Sequence, residues 1–172
     1  MPIKEKLNKC FKEGEKGERH KGLKKIELSE DYVQGHLNKA VHNFKAMISF
    51  QKTGFSDWSA PASFYCLYHC LLALVAKEGY ESRNQSCTFA LIEDMIDNGK
   101  ISLSKEELKE IFDENVTEDL EHSNKILDIR ENMQYSIKTA LEEQEFLELK
   151  ERTKRLFDKI RRDIEMSEIE DF

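Results

Sequence analysis

Only two prolines and seven glycines occur in 172 residues, so the residues that punctuate turns are scarce and helix formers dominate. That is an all-α composition, and no stretch reads as a strand. The N-terminus is polar and lysine-rich, with no apolar core of a signal peptide behind it. The longest apolar run, Ala60–Ala76, is interrupted by Pro61, Ser63 and His69 and falls short of the roughly 20 residues that a membrane span needs. A cytoplasmic protein with no membrane partner is the expectation. Cysteine is also sparse: Cys10, Cys66, Cys70 and Cys87 form no CxxC pair and read as reduced thiols. Cys66 and Cys70 share a helix face beside His69, yet no second ligand cluster accompanies them, so they read as small core hydrophobes, with no metal or cofactor expected. Positive charge is short as well. A formal net charge of −7 disfavours a protein that coats nucleic acid through bulk electrostatics, although a local basic patch can still grip phosphates.

What is present is length for one domain, with 39% hydrophobic and 35% charged residues. Residues 1–28 hold nine Lys/Arg against five Asp/Glu and read as a basic, solvated N-terminal arm. Its sharper alternative is an arm that faces RNA or a partner. Residues 29–166 read as a helical bundle, and 167–172 as a frayed acidic tail.

In the bundle, Val33, Leu37, Ala40, Val41, Phe44, Met47 and Ile48 recur at helical spacing, with Ser29 as N-cap and Gly54 as stop. Phe64, Tyr65, Leu67, Tyr68, Leu71, Leu72, Leu74 and Val75 wrap nearly all round the next helix, which is therefore central; Pro61 fits its first turn and Gly79 its end. Two short helices follow, one carrying Phe89, Leu91, Ile92 and Met95 before Asn98–Gly99, the other opened by a Ser104–Glu107 capping box. From Thr117, Leu120, Ile126, Leu127, Ile129, Met133 and Ile137 describe a third long helix. A second capping-box pattern, Thr139 to Glu142, suggests a restart into a last helix striped by Phe146, Leu149, Phe157, Ile160 and Ile164. The sum is an up-and-down four-helix bundle with two short insertions.

One residue breaks the pattern. In "ILDIRENMQYSI", residues 126–137, Arg130 lies on or beside the buried stripe, and an unpaired buried guanidinium is very costly. It needs a carboxylate such as Glu131 or Asp128 of a neighbouring subunit, a groove, an interface, or an outward path for its head group. Tyr135 lies about 140° round a continuous helix from Arg130, at 100° per residue. The two converge only if the helix breaks or if a second chain contributes, and a two-fold dimer would set two copies of the motif around one cleft.

"HLNKAVHNFKAMISFQKTGFSDWSAPASFYCLYHCLLALVAKEGYES", followed by "LDIRENMQY", resembles the HEPN domain family, in its small stand-alone prokaryotic branch, over roughly residues 30 to 165. The resemblance implies a dimerising four-helix bundle whose Arg motifs meet in a cleft. Many relatives are metal-independent endoribonucleases that serve as toxins or in phage defence, often beside a small nucleotidyltransferase antitoxin. Carried over, Arg130 is the phosphate-binding, transition-state cation and Asn132 a polar helper. Tyr135 stands where nuclease members carry histidine, in a variant of the Arg-x4–6-His motif. The resemblance also makes Tyr135 a candidate for adenylation by the partner nucleotidyltransferase, which would add a bulky anion to the cleft.

Cleavage of RNA without metal needs a base for the 2′-OH, an acid for the leaving 5′-oxygen and positive charge on the phosphorane. A tyrosine with pKa near 10 is a weak base at neutral pH but can donate a proton or hydrogen bond. His69 and His122 are alternative proton carriers, though a histidine in a core helix more often serves packing. Three readings remain open: a toxin-type endoribonuclease, a non-catalytic module that binds RNA or a nucleotide, and an interaction protein in which Arg130 is a structural ion pair.

Overall fold

The structure is a computed structural model that describes residues 1–19, 21–111, 133 and 135–166. Among these, six helices dominate: α1 (Ile3–Glu15), α2 (Glu30–Lys52), α3 (Ser59–Lys77), α4 (Gln85–Asp97), α5 (Lys105–Ile111) and α6 (Glu143–Met166). The fold is all-α, as expected. The third long helix expected from Thr117 falls mostly outside the described residues.

α2 starts where Ser29 Oγ accepts the Tyr32 N–H at 3.2 Å. It buries Val33, Leu37, Ala40 and Met47, while Val41 lies at the edge of the stripe and is exposed. A short turn ending in a 3₁₀ helix at Ser56–Trp58 reverses the chain, and α3 then packs along α2. α3 is the core helix: Phe64, Cys66, Leu67, Cys70, Leu71 and Ala73 are fully buried. The segment Ser56–Lys77, α3 with its entry turn, has the length and apolar composition of a membrane span, but 72% of its 18-residue apolar window, with mean hydropathy 1.4, is buried in the bundle. Its polar side chains are satisfied inside, Ser59 Oγ donating to Met47 O at 2.7 Å and Ser63 Oγ lying 2.6 Å from Thr153 Oγ1 on α6.

α6 presses Phe146, Leu149, Leu156, Ile160 and Ile164 onto this core. Its other flank meets α5, where Lys159 Nζ bonds Glu107 at 2.8 Å and Arg152 bonds Glu110 at 3.2 Å. The Ser104–Glu107 capping box closes reciprocally, Ser104 N donating to Glu107 Oε2 and Glu107 N to Ser104 Oγ. The second box does not: α6 begins at Glu143, and Glu142 O, not a Thr139 side chain, receives the first helical N–H, from Phe146. Thr139 is instead drawn into the wall of a groove.

The N-terminal region corrects three expectations. Residues 3–15 are no solvated arm: they form α1, which buries Leu7, Cys10 and Gly14 and packs on α4. The thiols are not all reduced, because Cys10 and Cys87 form a disulfide with Cα atoms 5.8 Å apart. A small sheet also exists, with β1 (Leu23–Lys25) antiparallel to β2 (Tyr80–Ser82) and Leu23 opposite Ser82. Glycine makes this corner possible. Gly14 lies so close to Leu23 that a Cβ would collide with its carbonyl, and Gly22, at φ +73°, likewise meets Cys10 O and Gly14 N. The lysines that gave the segment its solvated appearance stand on the far side of a narrow apolar stripe.

Candidate nucleotide groove

The turn before α3 and the segment leading into α6 come together at one end of the bundle. Leu141 N donates to Ser56 Oγ at 2.8 Å, which pins residues 135–141 against the start of α3. Between them lies a groove of about 680 Å³, whose walls include Trp58, Pro61, Tyr65, Gln85 and Tyr135. Met133 is buried at its base, whereas Tyr135 is 81% exposed and Ile137 fully so.

Of the three residues singled out in the motif, the structure therefore places Tyr135, on the groove. Arg130 and Asn132 lie outside the described residues, as does His122. The groove brings in residues that pattern reading missed. Trp58, the chain's one tryptophan, is 57% exposed, and Tyr65 is 47% exposed, which corrects the expectation that α3 is covered all round. Trp58, Pro61 and Tyr65 recur at spacings of three and four, one helical face. That face was legible as a stripe, but nothing in it distinguishes an uncovered aromatic stripe from a buried one.

Aromatic rings open to solvent are stacking platforms for nucleobases, because every base has a π-face. Gln85 adds an amide with both donor and acceptor, suited to a base edge. Lys138, with its backbone N–H held by Ser136 Oγ at 3.2 Å, adds a cation at the rim for phosphate. No histidine among the described residues lines the groove.

His69 is occupied elsewhere. Its Nδ1 lies 3.1 Å from His36 Nδ1 on α2, one ring donating and the other accepting, with Tyr32 edge-on to His36. Burial, and after it the neighbouring His36 and Lys39, push His69 down to about 4, so it is a neutral structural histidine at physiological pH. Cys66 and Cys70 remain free and buried, and burial, with the adjacent Cys66 thiol, pushes the Cys70 thiol up. Among the described residues no three His, Cys, Asp or Glu side chains converge as a metal set.

The family model for the HEPN domain matches residues 33–164. The chain belongs to the HEPN domain family. A search of curated proteins gives no significant match.

Proposed function

We propose that this HEPN protein acts on RNA at the groove beside Tyr135, as a metal-independent endoribonuclease of a toxin–antitoxin or defence system. The observation that carries the reading is the exposure of the motif tyrosine in one groove with Trp58 and Tyr65. Bases stack on the two rings of α3 and its entry turn, and the phosphate comes to Tyr135. Water takes the proton of the attacking 2′-OH, Arg130 supplies the charge that stabilises the phosphorane, Asn132 orients the phosphate, and Tyr135 donates to the leaving 5′-oxygen as the P–O bond breaks and regains its proton from solvent. A two-fold dimer completes the cleft, because on one unbroken helix Arg130 and Tyr135 would point about 140° apart; the fully exposed Ile137 supplies apolar surface for that contact. A small nucleotidyltransferase that modifies Tyr135 would silence the same cleft.

A second reading has its own support. Tyrosine in the histidine slot, with no histidine among the described groove residues, favours a module that binds RNA or a nucleotide without cutting it. Total RNA incubated in EDTA with wild-type protein, Arg130→Ala and Tyr135→Phe separates the two. Cleavage by wild type alone establishes the nuclease. Absence of cleavage, with Trp58 fluorescence quenched by a single-stranded oligonucleotide, establishes the binding module. Neither cleavage nor quenching by a folded, unmodified protein removes both.

A further inference from the structure

A second groove, of about 410 Å³, opens over the Cys10–Cys87 disulfide; Asn84 and Ser86 line it, on either side of Gln85 of the aromatic groove. Both cysteines line it, with Lys6, Lys9 and Glu13 around them. The two sulfurs sit in unequal places. Cys87 is the third residue of α4, in the turn whose N–H groups point outward, and its own N–H is bound by Asn84 Oδ1 at 3.0 Å. A thiolate there is stabilised by the helix N-terminus. Cys10 lies well inside α1, one turn from Gly14, with no such help. Both residues are nearly covered by protein, 3% and 4% exposed, and both line this groove.

We propose that the Cys10–Cys87 disulfide is a thiol-exchange site for small anionic thiols. The incoming thiolate attacks Cys10 Sγ. A new S–S bond forms to Cys10, the old one breaks, and its electron pair leaves on Cys87 Sγ, the better leaving group. A second equivalent of the thiol attacks the external sulfur of the adduct, releasing Cys10 as thiolate and the oxidised external disulfide. Two electrons pass from the thiol pair to the protein, and both thiolates take protons from water according to pH. Lys6 and Lys9 line the groove and draw an anionic thiol in. Reduction thereby unclasps α1 from α4.

The test uses the full oxidised chain with three thiols: glutathione (anionic), 2-mercaptoethanol (neutral) and cysteamine (cationic). Aliquots are acid-quenched, alkylated and read by intact mass and peptide mapping. At equal thiolate concentration, glutathione is expected to react about tenfold faster than cysteamine, a preference that collapses at about 1 M salt. The mixed disulfide is expected on Cys10 and the alkylated thiol on Cys87. Lys6→Ser with Lys9→Ser, verified as folded by circular dichroism, should erase the preference without stopping exchange by 2-mercaptoethanol. Exchange that requires denaturant, equal rates for the three thiols, or an adduct on Cys87 overturns the proposal.

Discussion

α1 and α6 are both charge-rich amphipathic helices laid on the inner bundle, yet they are held in different ways. α6 is 24 residues long and buries six side chains, Leu149, Leu156 and Ile160 completely. Its ion pairs to Glu107 and Glu110 are partly shielded by α5. α1 has 13 residues and buries only Leu7, Cys10 and Gly14. At about 25 cal/mol per Å² of apolar surface, a long stripe secures itself, whereas a single short row does not. The short helix is therefore clasped covalently and pinned by glycines that let backbones touch.

The largest effect should come from damaging the stripe. Leu156→Ala removes a fully buried side chain from the middle of α6 and is expected to cost about 2–5 kcal/mol, read as a shift in the urea midpoint. A loss confined to α6 protection in hydrogen exchange, with the global midpoint unchanged, would show that α6 is not part of the cooperative core.

Removing the clasp comes next. Cys10→Ser with Cys87→Ser opens a loop with a sequence separation of 77 and should cost about 2–4 kcal/mol. Amide exchange is expected to accelerate first in α1 and β1, leaving α6 protected. Uniform acceleration across both helices would erase the distinction between them.

A smaller effect should come from the α2–α3 pair on which α6 lies, and which α1, packed on α4 and β1, does not share. His36 and His69 join α2 to α3 as neutral rings; burial lowers His36 despite the pull of Glu81, and lowers His69 to about 4. The unfolded imidazoles take up protons near pH 6.5, so stability that is complete above that value is lost as pH falls towards 4. The rings are only partly buried, which reduces the effect to the order of 1 kcal/mol. Urea midpoints at about pH 7.5 and pH 5 should differ in that direction, and His69→Gln should flatten the difference. An unchanged slope in the variant would assign the acid sensitivity to other groups.

The groove gives the mildest test. Trp58→Phe should leave stability within about 0.5 kcal/mol, since the ring is largely exposed, while Trp58→Ala should weaken oligonucleotide binding by about 1–3 kcal/mol. Equal affinity in both variants would remove Trp58 from the binding surface.

Much of the bundle was legible because its signals are local. Ser29, the Ser104–Glu107 box and Gly79, which ends α3 at φ +85°, each act within a turn of their own position. The N-terminal corner was not, because its causes are distant. Three-residue strands are too short to show an alternating pattern, and β1 finds its partner more than fifty residues along the chain. Nothing near Cys10 names Cys87. Lysines around Leu7 and Phe11 hid a stripe that becomes apolar only when seen end-on. At the candidate site, the motif drew attention to Tyr135, but Trp58 and Tyr65 needed the turn at Ser56 to be folded before they could be seen to face it.

The disulfide also partitions the chain mechanically. Residues 10 to 87, which include α2 and α3, form one closed covalent ring, while the Arg-x4-Tyr motif and α6 lie outside it. A pull on the two termini of the oxidised chain can straighten only what lies outside the ring. About 270 Å of contour stays hidden, at about 3.5 Å for each of the 77 residue steps from Cys10 to Cys87. An unfoldase engaging the C-terminus would extract α6 and the motif first, and would then meet a knot of doubled chain until a reductant opened it.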